Sequence, residues 1–141
     1  MTDDLFTPTI RTPTAPATPP WRPESIVYPA FFGGALAATV LGAINAHRLS
    51  LGRGPVLAIV AAGLVLFAGR VAFAATIGGN TGRIGGIVAG LLTWGVVNAV
   101  QRKPFRAYLQ NDWQPASLVG PGILAAIGSL IVEVIVIAVA R

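Results

Sequence analysis

The sequence predicts an all-α integral membrane bundle of four transmembrane helices behind a Pro/Thr-rich amino-terminal arm. Four apolar stretches, residues 26–46, 55–77, 84–100 and 117–140, each approach the roughly 20 residues that a helix needs to cross a bilayer. The composition agrees: 54% of residues are hydrophobic and 11% charged, and the mean hydropathy is +0.71, whereas an ordinary soluble domain carries about 25% charged residues. Most of the cations lie between or beyond the apolar stretches, and Arg70 alone lies within one. Two units follow, an extended arm over residues 1–25 and a helical domain over residues 26–141.

The arm is a different material from the rest. Prolines at 8, 13, 16, 19, 20 and 23 alternate with threonines, a composition that forms polyproline II or stays solvated. Pro13, Pro16 and Pro19 recur every third residue, which in polyproline II places them along one edge. Trp21 and Arg22 follow as expected anchors at the headgroup level. The opening Met1-Thr2-Asp3-Asp4 does not fit a cleavable signal peptide, which starts with basic residues.

The first helix repeats small residues at every fourth position, Ala30, Gly34, Ala38, Gly42 and Ala46, and Gly78, Gly82, Gly86 and Gly90 do the same into the third. Small-xxx-small stripes let backbones approach closely where lipid supplies no hydrophobic drive. They fit packing within the chain or, alternatively, a glycine zipper between copies. Gly33-Gly34 precedes Asn45 and Arg48 much as Gly85-Gly86 precedes Asn98 and Arg102, which suggests two parallel hairpin repeats related by an axis along the membrane normal. Asn45 and Asn98 would then be matching polar helix ends, and the second and fourth helices would occupy equivalent places.

Arg70 lies seven residues before Ile77 and Glu133 seven before Ala140, on helices that must run in the same direction, so both are expected at similar depth. An unpaired charge near the centre of a bilayer costs about 2.5–3.5 kcal/mol even on an insertion scale. A pair between them removes most of that cost. The alternatives are snorkelling of Arg70 to the headgroups, or a bond from either residue to a partner or ligand. A proton carrier needs a carboxylate that is neutral for part of its cycle, whereas a close guanidinium favours the charged form, so latch and carrier compete.

In the third connection Phe105, Tyr108, Leu109 and Trp113 fall at helical spacing, predicting a short interfacial helix over residues 104–113 with these aromatics as anchors. Pro121 sits in the first turns of the fourth helix, where a missing amide is tolerated. Beyond it the helix is mostly Ile and Val, a surface for lipid or a partner.

Five of the ten Lys/Arg, namely Arg48, Arg53, Arg102, Lys103 and Arg106, lie in connections one and three. The positive-inside bias places those connections in the cytoplasm and both termini outside. No basic stripe interleaved with aromatics points to nucleic acid. One His, no Cys and few acids give neither a metal site nor a nucleophile beside a base, and the segment around Gly82 lacks the Gly-Lys-Ser/Thr of a phosphate loop. An enzyme is not expected, and no cofactor can be named.

The run Phe31-Phe32-Gly33-Gly34-Ala35-Leu36-Ala37, followed by Asn45, Arg48-Leu49 and Gly52, resembles uncharacterised small bacterial membrane proteins that open with an aromatic-Gly-Gly-Pro-Leu-Ala run, with Ala35 in place of the Pro. That resemblance implies a bacterial inner membrane and no activity. Four Gly-rich helices with a carboxylate in the fourth also look like the rotor proteolipids of rotary ATPases, although Arg70, the long third connection and the proline arm depart from that pattern. The reading is a non-catalytic accessory or assembly subunit of a larger membrane complex, touching other subunits through the arm and the fourth helix; the alternative is a small transporter, channel or proton carrier built on Glu133 and Arg70.

Overall fold

The structure, a computed structural model, describes residues 14–77 and 80–140, with the side chains of residues 80 and 81 excepted. The amino-terminal half of the arm, Gly78 and Arg141 lie outside the described residues. A 3-10 turn, Pro23–Ile26, leads into α1 (Val27–Arg48), α2 (Arg53–Thr76), α3 (Asn80–Leu109) and α4 (Val119–Ala140). All four are long and apolar enough to cross a membrane by residue count.

The first of them does not run straight. At Gly34 the backbone takes φ 68°, ψ −158°, a region essentially reserved for glycine, and the chain folds back. Contacts on both sides of Gly34 require this. On α3, a side chain at Gly90 would meet both the Ala30 carbonyl and the Gly34 Cα. Further along α3, Trp94 Nε1 donates to the Pro23 carbonyl at 3.1 Å and Gln101 Nε2 to the Gly42 carbonyl at 2.6 Å. Residues before and after Gly34 therefore travel in the same direction along α3 away from a shared tip. α1 is a helical hairpin, with an outward arm up to Gly33 and a return arm from Ala35.

The neighbours follow the same register. α2 passes the return arm at Ile59 against Gly42 and at Gly63 against Thr39, and reaches the tip at Arg70. α4 passes the outward arm at Gly122 against Pro29 and at Ala126 against Gly33, and reaches the tip at Glu133. The near end of the bundle gathers residues 19–22, 45–48 and 114–116: the Ala116 N–H donates to the Pro20 carbonyl at 3.0 Å and Arg48 Nη1 to the Pro19 carbonyl at 3.0 Å. The far end holds the end of α2, the start of α3 and the end of α4. The core between the hairpin and α2–α4 contains Ile26, Leu41, Ile59 and Val97, all 2% exposed or less.

Several expectations change. The first of the four expected helices is a hairpin, because Gly34, which reads as part of a small-residue stripe, is the corner itself. The first elements of the two supposed repeats differ in shape, since α3 runs unbroken through Gly86. Residues 19–22 sit at the near end and Ala140 at the far end, whereas the chain ends themselves lie outside the described residues. The separate helix over residues 104–113 is absent, because α3 continues through Pro104 to Leu109. Pro104 cannot donate to the carbonyl four residues back, but Phe105 and Tyr108, 4% and 7% exposed, are held inside, and the chain turns only afterwards, at Asp112 with φ 58°.

Candidate functional site

At the hairpin tip all four helices contribute to one polar site. Arg70 Nη2 of α2 lies 2.8 Å from Glu133 Oε1 of α4, and the two side chains are 8% and 11% exposed. The two glycines bracketing the pair explain how backbones come this close. A Cβ at Gly86 would stand 2.9 Å from Arg70 Nε and 3.4 Å from Glu133 Oε1, and one at Gly34 3.2 Å from Glu133 Oε2. Any side chain at either position would press on the ion pair.

The pair does not exhaust its own bonding capacity. A guanidinium carries five N–H donors, yet Arg70 Nε and Nη1 are buried without an acceptor. Leaving a buried donor unmade costs about 1–3 kcal/mol, more for a charged group. Beside the pair lies a cavity of about 430 Å³ whose lining includes Phe31, Arg83, Leu130 and Val134. It exists because the hairpin stops at Gly34, whereas α2, α3 and α4 continue for roughly two turns, about 9–10 Å at 1.5 Å per residue. The site is therefore a recess at the far end, with an ion pair at its floor and largely apolar walls.

A second polar cluster closes the near end. Asn45, 0% exposed, accepts from the Trp21 N–H at 2.7 Å and donates to the Trp21 carbonyl at 3.0 Å and to Gln101 Oε1 at 2.7 Å. Arg48 lies over the Trp21 ring, 3.9 Å from its centroid. Trp21 is thus 3% exposed and part of the core, not a headgroup anchor. Phe105, Tyr108 and Trp113 form a cluster of their own, with ring centroids 6.1 and 5.2 Å apart, and the Tyr108 hydroxyl donates to the Gln114 carbonyl at 2.9 Å.

The other sequence-derived positions divide. Gly42 packs against Val97, where a Cβ would come within 2.5 Å, and Gly90 against the outward arm. Gly82 does not mark a close helix contact: its nearest neighbours are Arg70 Nη1 and the Ile77 carbonyl, both 3.9 Å from a built Cβ, so it leaves room beside the guanidinium. Asn98 is not a helix end, since α3 continues eleven residues past it, and its buried Oδ1 has no partner. The residue that meets Asn45 is Gln101. The signal was there, because 90, 94, 97 and 101 form a single helical stripe to which Gly90 already belonged. Thr39 and Gly63, in contact where α1 meets α2, carried no such signal.

No cluster of three or more His, Cys, Asp or Glu occurs among the described residues. Comparison of the chain with protein-family models, curated proteins and solved structures finds no match.

Proposed function

We propose that this chain is a multi-pass protein of the bacterial cytoplasmic membrane that acts, without catalysis, as a small channel or carrier for an ion or small solute at the recess. α2, α3 and α4 would cross the bilayer. The return arm of α1, 14 residues and about 21 Å long, is short of a hydrocarbon core of about 30 Å, so α1 would enter as a re-entrant hairpin. The carrying observation is the fold-back at Gly34 against the buried Arg70–Glu133 pair. Irregular backbone at membrane depth is tolerated where it is buried in protein or lines a water-filled cavity, and broken helices whose ends meet at mid-depth are a device by which transporters build binding sites. Intramembrane charges facing a cavity support the same reading.

The arrangement also bears on orientation. With residues 19–22 at the near end, Arg22, Arg48, Arg53, Arg102, Lys103 and Arg106 stand on one side and Arg83 on the other. The positive-inside rule then assigns the near end to the cytoplasm and the carboxy-terminal end of α4 to the outside. The test of function is flux: the protein, purified and reconstituted alone in liposomes, should dissipate a gradient of some monovalent ion or small solute faster than empty vesicles do. Vesicles as tight as empty ones across a panel of both would defeat the proposal.

A second reading, an accessory or assembly subunit, is favoured by the apolar surface of α4. Ile123, Ile127, Ile131, Val134 and Val139 are each at least half exposed. In this reading other membrane subunits cover that face, whereas the part of the arm nearest the helices is occupied by its own chain. Purification in mild detergent with fixed stoichiometric companions would favour it over the carrier.

A further inference from the structure

We infer that the recess takes a small, singly charged anion, and this rests on the reading of the recess as the working site. Among the described residues three charged side chains line it, Arg70, Arg83 and Glu133, which leaves one net positive charge once the ion pair is counted. The rest of the molecule strengthens that sign. Of the five acidic residues in the sequence, Glu24 and Asp112 belong to the near end and Asp3 and Asp4 lie outside the described residues. Among the described residues, Glu133 is thus the sole acid at the far end, and it is already paired. A low-dielectric cleft lined by an excess of one charge concentrates ions of the opposite sign.

The floor supplies the recognition chemistry. Arg70 is about nine-tenths buried, and its Nε and Nη1 lack an acceptor. Nε lies against Gly86, whereas Nη1 faces Gly82, where a built Cβ would still be 3.9 Å away, so room remains beside that donor for a ligand. An entering anion would satisfy donors that now go unmet, whereas an entering cation would pass Arg83 and then compete with Arg70 for Glu133. The apolar walls favour a weakly hydrated, singly charged ion such as nitrate over a strongly hydrated or doubly charged one, because each water stripped from the ion must be replaced inside the recess.

The inference is tested with the full chain in phosphatidylcholine nanodiscs, titrating sodium nitrate against sodium gluconate at constant ionic strength by calorimetry, with nitrate and potassium flux followed in phosphatidylcholine liposomes. Nitrate should bind and gluconate should not. Arg83→Gln, at an exposed position, should leave the fold intact by circular dichroism and weaken nitrate binding several-fold, as expected for loss of the one net positive charge at the recess. Nitrate binding no tighter than gluconate, or unchanged by Arg83→Gln, overturns the inference. Potassium flux without nitrate flux also overturns it while leaving the channel reading intact, and absence of all binding and flux defeats both. Nitrate binding abolished by adding phosphatidylglycerol would reassign the site to an anionic lipid headgroup.

Discussion

The backbone N–H of Trp21 donates to Asn45 Oδ1 at 2.7 Å although 24 positions separate the two residues. A straight helix between them would hold them far apart, at about 1.5 Å for each helical residue, so this bond and its partner from Asn45 Nδ2 to the Trp21 carbonyl at 3.0 Å clasp the open end of the α1 hairpin. Gln101 ties the clasp to α3. Tip and clasp have different chemistry. The tip holds a buried ion pair beside a cavity, and the clasp is built from buried amides, with Asn45 and Gln101 both 0% exposed.

Asn45→Leu should therefore open the near end. It strands the Trp21 N–H, the Trp21 carbonyl and Gln101 Oε1, and each buried group left unpaired costs about 1–3 kcal/mol. We expect about 3 kcal/mol of destabilisation in mixed-micelle unfolding, with faster tryptic cleavage after Arg48, which the clasp holds against Pro19 and Trp21. Asn111→Ala, which removes an exposed bond within its own turn, should be nearly silent. Equal stability of the two variants would show that the clasp does not hold the hairpin.

What the sequence discloses here follows from how local each signal is. The apolar lengths of α2 and α4 and the equal distance of Arg70 and Glu133 from their helix ends are properties of single segments, so four long apolar helices and a charged pair could be read directly. The fold-back could not. Gly33-Gly34 satisfies a four-residue small stripe as well as a corner, and only the long-range contacts of Trp21 with Asn45 and of Ala30 with Gly90 distinguish them. Asn98 looked like the counterpart of Asn45 because both are asparagines near the end of an apolar run. One helical position is about 100° of rotation, however, and it is Gln101, in line with Gly90 and Val97, that faces the hairpin.

The topology of the chain follows from the hairpin and is directly measurable. The sequence contains no Cys, so single cysteines at exposed Thr18, Arg53, Arg106 and Arg83 can be probed with an impermeant maleimide. Positions 18, 53 and 106 should label only in opened cells, and position 83 in intact ones. Labelling of 18 and 83 from the same side would mean that α1 crosses the membrane after all.

Arg70→Gln and Glu133→Gln should each cost about 3–5 kcal/mol, because either leaves an uncompensated buried charge. The double replacement should cost less than the sum of the two by about 1–3 kcal/mol. Denaturant or thermal unfolding of the three variants in one detergent gives the cycle. Simple additivity would mean that the 2.8 Å contact contributes nothing that its members do not contribute separately.

Gly34→Ala tests the corner itself. Its φ of 68° and ψ of −158° lie where a residue with a Cβ is strained by about 1–3 kcal/mol, and the added methyl would also stand 3.2 Å from Glu133 Oε2. The two effects act on different things, the first on the fold-back and the second on the ion pair. Gly54→Ala is the control: it lies in α2 with nothing within 4 Å of a built Cβ, and there alanine should be neutral or stabilising by about 0.5–1 kcal/mol. We expect Gly34→Ala to lose about 2–4 kcal/mol and to disturb any ion binding or flux at the recess, while Gly54→Ala retains both. If alanine is tolerated equally at the two positions, Gly34 does not turn the chain, and the recess that depends on that turn would have no structural basis.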